Sequence, residues 1–521
     1  MSKSKPTGVT RREFLKRIAA AGGYAATYQA MAGLGLLTTQ SGCGTETLAL
    51  TEGNGTQVII LGAGVAGMSA AYEMSKRGYS CKIIEARNRA GGRNETARHG
   101  TTLQEIDSVQ TCNFDNDPGL YANLGPARLP HHHRNVLGYC KEFNIALEIF
   151  SNDNRAAFFH DSKAFGGQPV QTKRLLADSR GAIAELFAKT IKKNALDEDM
   201  NAEDQEKLLA YLKNFGDLNA QHQYTGSSRA GFKDTVHATM TPGVIQAPLD
   251  FKQILTSEFW DYKMHFAEGT DQAATMFQPV GGMDKIVDGF YARVSGLVEL
   301  ETEVLEIRNT MSGVEVDCKN LNTGDTKTLE AKFCICTIPI TVLRNIPNNF
   351  DTAINVAMTG VTYEKSGKAA FQSTRFWEEQ GVYGGISWTD QDITQMWYPA
   401  SGFHQAQGII VGAYIWDEAQ CVRFANQTPT ERIESCKLQG EAIHAGYSRM
   451  VKNGITRSWH KMKYQQGAWR TDLPEIPEIL QGAIGQVYLA GEHMSMLPGW
   501  QEGSIISAQK VMEEISHRVE L

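Results

Sequence analysis

The 521-residue sequence has little cysteine for its length, nine residues in all, and none lies in a CxxC pair or in a Cys/His cluster of metal-ligand spacing. So sparse a set makes no disulfide scaffold, a device of short cysteine-dense chains, and it indicates no metal centre. A basic body is missing as well. Residues 1–43 hold six Lys and Arg against one acid, and the rest of the chain carries 45 basic and 57 acidic residues. An acidic body of this kind does not displace phosphate counterions, which argues against sequence-independent nucleic-acid binding. Disorder and fibrous repeats are excluded too, because 42% hydrophobic and 21% charged residues are ordinary for a globular enzyme of two or three sub-domains. The uncharged stretch from Ile18 to Leu37 approaches the roughly 20 residues that span a bilayer. Four glycines, Gln29 and two tyrosines within it make a poor membrane anchor.

Ahead of that stretch stands Thr10-Arg11-Arg12-Glu13-Phe14-Leu15-Lys16. The segment resembles a bacterial twin-arginine signal. The resemblance implies a folded passenger handed to the twin-arginine translocase and released to the periplasm or the medium, with residues 1–49 as signal and linker. Thr47-Leu48-Ala49 has the small-x-small form of a cleavage site. Gly42-Cys43 offers a lipoprotein site instead, but Gln40 stands where an aliphatic residue is expected.

From Val58 to Leu61 runs an apolar segment too short for a helix, which reads as a buried parallel strand. Gly62-Ala63-Gly64-Val65-Ala66-Gly67 follows, then helical composition to Lys76, a stop at Gly78, and a second apolar run that ends at Glu85, 18 residues beyond Gly67. Glycines between strand and helix, with an acid closing the next strand, form a dinucleotide site for a physical reason. Gly62 permits the turn, Gly64 admits a pyrophosphate to the backbone, and Gly67 lets helix and strand touch. The helix N-terminus then presents its unpaired N–H groups to the phosphates, and Glu85 accepts from the ribose hydroxyls. Farther along, Cys334 and Cys336 lie two apart in an apolar run, where a strand turns both to one buried face as small core residues.

The continuation Glu85-Ala86-Arg87-Asn88-Arg89-Ala90-Gly91-Gly92-Arg93 resembles the second glycine motif of the flavin amine oxidases. That resemblance implies FAD rather than NAD, with Ala86, Arg87, Gly92 and Arg93 added to the cofactor contacts and Arg93 offering a guanidinium fork to a phosphate. It extends to Val487-Tyr488-Leu489-Ala490-Gly491-Glu492 and to Pro498-Gly499-Trp500-Gln501-Glu502-Gly503-Ser504-Ile505, similar to the segment with which the family closes its FAD site. Gly491, Glu492, Ser504 and Ile505 are thereby implied at the cofactor, and Val304 at its adenine. No cysteine stands between Gly491 and Met496, where covalent relatives attach their flavin, so the FAD is expected to be held non-covalently. The implied fold is α/β, a Rossmann-like FAD-binding domain (56–103, 279–345 and 482–521) with a β-sheet substrate domain (104–165 and 346–475). A helical insertion occupies 166–278, where Ala, Leu, Lys, Glu and Asp dominate from Leu175 to Leu218. The resemblance to the L-amino-acid oxidase branch implies that this insertion helps form a substrate funnel, and by composition it suits the contact surface of a homodimer equally.

Ala122-Asn123-Leu124-Gly125-Pro126-Ala127-Arg128-Leu129-Pro130 resembles a block of the L-amino-acid oxidase branch. Gly125, Pro126 and Ala127 then belong to the cofactor wall, and Arg128 to both cofactor wall and substrate, as the planar cation that receives the carboxylate. By the same resemblance Tyr398, preceding Pro399, supplies a phenol to that carboxylate. Gly499 and Trp500 wall the substrate, Lys368 holds a water beside the flavin, and His265 is placed like a substrate-deprotonating histidine. His131, His132 and His133 receive no role, because three consecutive side chains do not converge on one ion from regular structure. The expected reaction converts an L-amino acid, water and dioxygen to a 2-oxo acid, ammonia and hydrogen peroxide. A polyamine or monoamine oxidase, a dehydrogenase that hands electrons to a carrier, and an exported flavoprotein that binds without turnover are the alternatives.

Overall fold

Each of the two apolar runs that flank the glycine turn is a strand with its side chains buried almost throughout, and the two pair in parallel, Gln57–Leu61 on Ser80–Ile84. Phe333–Cys336 and Val487–Leu489 extend the sheet on one side and Val298–Glu299 on the other, all parallel, in the order 298–299, 80–84, 57–61, 333–336, 487–489. Burial on both faces is what continuous Val/Ile runs require. The alternation along each strand divides those faces cleanly. Ile60, Ile83, Ile335 and Tyr488 pack with Met68 and Met74 of the Val65–Lys76 helix and with Ile505, Ala508 and Met512 of the Gln501–Glu520 helix. Ile59, Leu61, Ile84, Cys334 and Cys336 face the opposite core, with Val316 and Leu343. The two cysteines are thus the small core residues their spacing predicts, and burial pushes the Cys336 thiol up to about 12.

This computed structural model describes residues 48–193, 195, 200–233, 242–471 and 475–520. The twin-arginine segment and Cys43 lie outside the described residues, which begin within the sequence of the suggested cleavage site. Residues Thr47–Leu521 form one compact unit. Beside the parallel sheet stands an antiparallel meander of Thr302–Asn309, Val314–Asn320 and Thr326–Ala331. A mostly antiparallel seven-stranded sheet contains Gly367–Thr374 between Gln407–Ile415 and Val451–Ser458. Two helices, Thr172–Lys192 and Ala202–Phe215, pack through Ala184, Ala188, Ile191 and Leu212. Among the described residues no helix is long and apolar enough to cross a membrane.

The chain closes on itself at the parallel sheet. Thr51 N donates to Ser516 Oγ at 2.7 Å, joining segments 465 residues apart. The Gln501–Glu520 helix from the far end of the sequence also shares a core with the Val65–Lys76 helix that follows the glycine turn.

Candidate active site

Gly62 adopts φ +103°, a conformation that L side chains avoid, and a Cβ built there would stand 2.5 Å from Thr337 Oγ1. At Gly67 a Cβ would meet the Gly62 carbonyl oxygen at 2.1 Å, so the helix rests directly on the turn. Gly64 is different: a Cβ there would meet nothing within 4 Å. The open space beside it is a cavity, lined here by Gly62, Gly64, Val65 and Ala66 and therefore faced by the first turn of the helix, whose N–H groups lack intrahelical partners. Glu85 is buried at its edge, Oε2 accepting from Ala63 N and Oε1 from Arg87 N, both at 2.9 Å. A carboxylate oxygen has a second lone pair, so Glu85 keeps acceptor capacity toward the cavity. Ala86 and Val304 line the same end, Val304 where the meander pairing slips register before Glu306.

The second glycine motif is held from behind. Arg87 and Arg89 both donate to the Gly92 carbonyl, at 3.1 and 3.0 Å, and both pair with Glu95, at 3.1 and 2.7 Å. Arg457 meets the same buried carboxylate at 2.5 Å. Burial raises the Glu95 pKa, but Arg89, Arg457 and Arg87 outweigh it and hold it down at about 2. Arg87, expected at the cofactor, is thus a prop for Gly92 and does not line the cavity, whereas Gly92 and Arg93 do. Arg93 Nη1 donates to Glu492 Oε1 at 2.6 Å and to the Ala468 carbonyl at 2.9 Å, and Glu492 Oε2 accepts from Gly499 N at 3.0 Å. One buried carboxylate therefore ties the second glycine motif to the Gly499–Trp500 turn. Burial pushes Glu492 up, yet Arg93 and His493 prevail and its carboxyl titrates below the usual range.

Gly125, Pro126, Gly491, Glu492, Gly499, Trp500 and Ser504 line the cavity with them. Ala127 and Ile505, also expected there, are turned away into apolar clusters. An open glycine turn, a helix N-terminus, a buried acceptor and a guanidinium along one cavity fit a dinucleotide cofactor. None of the eight described cysteines lines it.

Two buried cations stand together: Lys368 lines the cavity, whereas Arg128, expected on the cofactor wall, is behind that lining and not part of it. Lys368 donates to the carbonyls of Gly125 at 2.6 Å and Asn123 at 3.2 Å, and its Nζ lies 4.6 Å from the Tyr414 ring. Burial and the charge of Arg128 lower its pKa to about 7. Arg128 directs Nε and Nη2 at Gln272 Oε1, at 3.1 and 2.8 Å, and lies 4.7 Å from the Trp397 ring and 5.6 Å from that of Trp500. Burial lowers its pKa to about 10. Among the described residues no carboxylate pairs with it. A buried arginine without a counter-anion is costly to a folded chain, and such groups ordinarily have an ionic partner.

Two expected residues are elsewhere. The Tyr398 hydroxyl bonds to Ser387 Oγ at 2.7 Å and His444 Nε2 at 2.6 Å inside an apolar core, so it does not reach Arg128. Successive residues of an extended chain point to opposite faces, and it is Trp397, ending the strand Gln395–Trp397, that covers the guanidinium. His265 lies on the short helix Lys263–Glu268, its side chain 54% exposed and paired with Glu268, and it does not line the cavity. Its neighbour Phe266 is the residue that approaches Arg128, at 5.8 Å. The three consecutive histidines do not all converge: His132 and His133, though not His131, both face Asp271. Sequence reasoning missed Gln272, Tyr414 and Trp459, whose Nε1 donates to the Leu124 carbonyl at 2.9 Å. Tyr414 is the cross-strand partner of Lys368, a pairing across 46 residues that no local pattern announces.

The family described as flavin containing amine oxidoreductase matches residues 65–516. Among curated relatives, the L-amino-acid oxidase of Bothrops atrox is 24% identical over 500 residues, covering 90% of each chain. A putative L-amino-acid oxidase of Bacillus subtilis (strain 168) is 23% identical over 483 residues, covering 88% of this chain and 94% of its own. Of solved structures, cyclohexylamine oxidase from Brevibacterium oxydans IH-35A superposes with a TM-score of 0.60 at 16% identity, over 89% of this chain and 100% of that one. Putrescine oxidase bound to putrescine gives 0.57 at 16%, over 88% and 98%. These likenesses show the flavin amine oxidase fold.

Proposed function

The chain belongs to the flavin-containing amine oxidoreductase family, and on that premise we propose that it is an L-amino-acid oxidase, converting an L-amino acid, water and dioxygen to a 2-oxo acid, ammonia and hydrogen peroxide. The observation that carries the reading is Arg128. A buried guanidinium with no carboxylate partner among the described residues, 5.6 Å from the Trp500 ring on the cavity wall, lacks the anion that a substrate carboxylate would supply. The names of the relatives agree with it. The rival is an amine oxidase, after the putrescine and cyclohexylamine oxidases that share the fold. Against a diamine oxidase stands the charge of the site, because a second ammonium beside Arg128 and Lys368 would meet repulsion, and among the described residues no carboxylate pairs with either cation.

FAD is the proposed cofactor, held without a covalent bond, and when bound it would supply the two-electron acceptor for the Cα–H and the reductant for dioxygen. The Gly62–Gly64 turn and the helix N-terminus would hold its pyrophosphate, Glu85 its ribose, Val304 its adenine and Arg93 a phosphate. The chain's own contribution is orientation and proton handling. Nη1 of Arg128 has no partner among the described residues, and it is offered to the substrate carboxylate while Gln272 fixes the other two nitrogens. Trp397 and Trp500 keep water from that pair. Lys368, with a pKa near neutrality, is the group placed to hold a water and to take up the proton the substrate ammonium loses. His265, in solvent, is not.

Export by the twin-arginine route is likewise proposed, on the Thr10–Lys16 segment alone.

The deciding experiment measures peroxide from the flavin-loaded protein over the twenty amino acids, putrescine and cyclohexylamine, with wild type and Arg128→Ala. Turnover confined to amino acids and lost in the variant is expected. Equal turnover of the amines, untouched by Arg128→Ala, would overturn the reading in favour of an amine oxidase.

A further inference from the structure

Next to Gln272, outside the cavity, three ligand-type side chains from two distant segments converge. His132 Nε2 lies 2.8 Å and His133 Nε2 3.4 Å from the same oxygen, Asp271 Oδ1, and ligand atoms of all three lie within 4.8 Å of one another. The histidines immediately precede the Arg134–Glu142 helix, and the aspartate is 138 residues farther along the chain, so the convergence is a product of the fold. As plain hydrogen bonding the arrangement is uneconomical: one carboxylate oxygen serves two imidazoles, and both must carry their proton on Nε2.

For a metal ion it is well formed. A tetrahedral zinc ion with nitrogen at about 2.0–2.1 Å and carboxylate oxygen at about 2.0–2.2 Å sets its ligand atoms roughly 3.3 Å apart. The two N···O separations already bracket that spacing. His133 is buried and its ring is fixed edge-on against Trp500 at 5.0 Å, whereas His132 and Asp271 are 33% and 32% exposed, which gives an ion both a rigid ligand and a way in. Two imidazoles, one carboxylate and a position open to water make a borderline-soft donor set, suited to zinc and neighbouring divalent transition metals more than to calcium or magnesium.

We infer that His132, His133 and Asp271 form a binding site for one divalent transition-metal ion, with water in the fourth position. The inference does not depend on which amine is oxidised. Its place in the fold gives it leverage: the adjacent Gln272 side chain holds Arg128, and the Gln272 carbonyl accepts from Asn152 Nδ2 at 2.9 Å. An ion at Asp271 would therefore clamp the loop that carries the guanidinium's partner to the segment that follows Arg128.

The test is calorimetric titration of zinc sulfate into chelator-treated, flavin-loaded full-length protein, with thermal melts at each metal level. Wild type is expected to bind one Zn²⁺ per chain in the micromolar range or tighter and to melt at a higher temperature when loaded. His132→Ala, a change at a half-exposed side chain, should keep its flavin and its metal-free melting temperature, weaken binding about tenfold or more, and lose the thermal shift. Asp271→Asn, which preserves shape and removes the anionic ligand, should weaken binding as well. Absence of zinc binding by wild type, or binding left unchanged by both substitutions, would overturn the inference and leave a hydrogen-bonded clamp.

Discussion

Lys368 and Arg128 are coupled, and the coupling is measurable. Burial and the neighbouring guanidinium bring Lys368 from an ordinary 10.5 to about 7. If its neutral form takes the substrate proton, kcat/KM rises with pH through about 7, and removing the Arg128 charge moves that midpoint upward. Arg128→Gln should therefore shift the pH profile to higher pH and also lower kcat/KM. A charge-assisted hydrogen bond contributes about 1.5–3 kcal/mol, and leaving the carboxylate unpaired adds to the loss, giving roughly two to four decades. A profile that keeps its midpoint while the rate falls would separate the two residues and reject Lys368 as the proton acceptor. The same depressed pKa has a stability consequence with a definite sign. Between about 7 and 10.5 the unfolded chain binds the lysine proton and the folded chain does not, so stability rises with pH across that window and the burial penalty is felt in full below it. Lys368→Met should raise the melting temperature most at acid pH and least at alkaline pH, and a pH-independent change would contradict this. At this scale the sequence was readable at Trp500, which lines the cavity as its motif implied. It misled at Tyr398, because a Trp-Tyr-Pro step does not say which of two alternating side chains faces inward, and at His265, because its position came from a shifted match and not from a period.

Strand, turn and helix from Gln57 to Lys76 were legible in advance because everything that specifies them is local: an apolar run, three glycines and a helical composition. The glycines nevertheless do different work, and substitution tells them apart. A side chain at Gly67 must displace the Gly62 carbonyl, 2.1 Å from its Cβ, so Gly67→Ala should lose both flavin and about 1–3 kcal/mol of stability to overpacking. A Cβ at Gly64 has open space, so Gly64→Val should fold at near wild-type stability and emerge colourless, its side chain occupying the cavity. Absorbance at the flavin band beside chemical denaturation reads both, and equal destabilisation of the two variants would refute the distinction. The Glu95 cluster was not legible. Arg87 looks like a cofactor ligand in the sequence, and only the arrival of Arg457 from a strand more than 360 residues away shows that Arg87 and Arg89 together brace Gly92 from behind. The pairing of Lys368 with Tyr414 was hidden for the same reason, since register between distant strands is set by packing.

The cavity is built by segments far apart in the chain, from Gly62 to Ser504. Gly62 opens it, Lys368 closes one end, and Gly499, Trp500 and Ser504 from the last segment complete the wall, while Thr51 is fastened to Ser516 beneath. If the cavity holds the proposed flavin, its wall is complete only once the final helix has been synthesised. A passenger with that requirement suits a route that moves folded proteins, and this gives the twin-arginine proposal a mechanistic basis beyond the resemblance of Thr10–Lys16. On the twin-arginine proposal the signal would be read by a receptor, and residues Thr47–Leu521 form a compact unit. Replacing Arg11 and Arg12 together by lysine should accordingly leave the protein soluble, flavin-loaded and active, but retained in the cytoplasmic fraction of a host with a working twin-arginine translocase. Fractionation followed by the peroxide assay and flavin absorbance on each fraction reads the result. Normal amounts of the doubly substituted enzyme in the periplasm would remove the twin-arginine proposal. A cytoplasmic but flavin-free product would instead show that loading depends on export, contrary to the argument from chain closure.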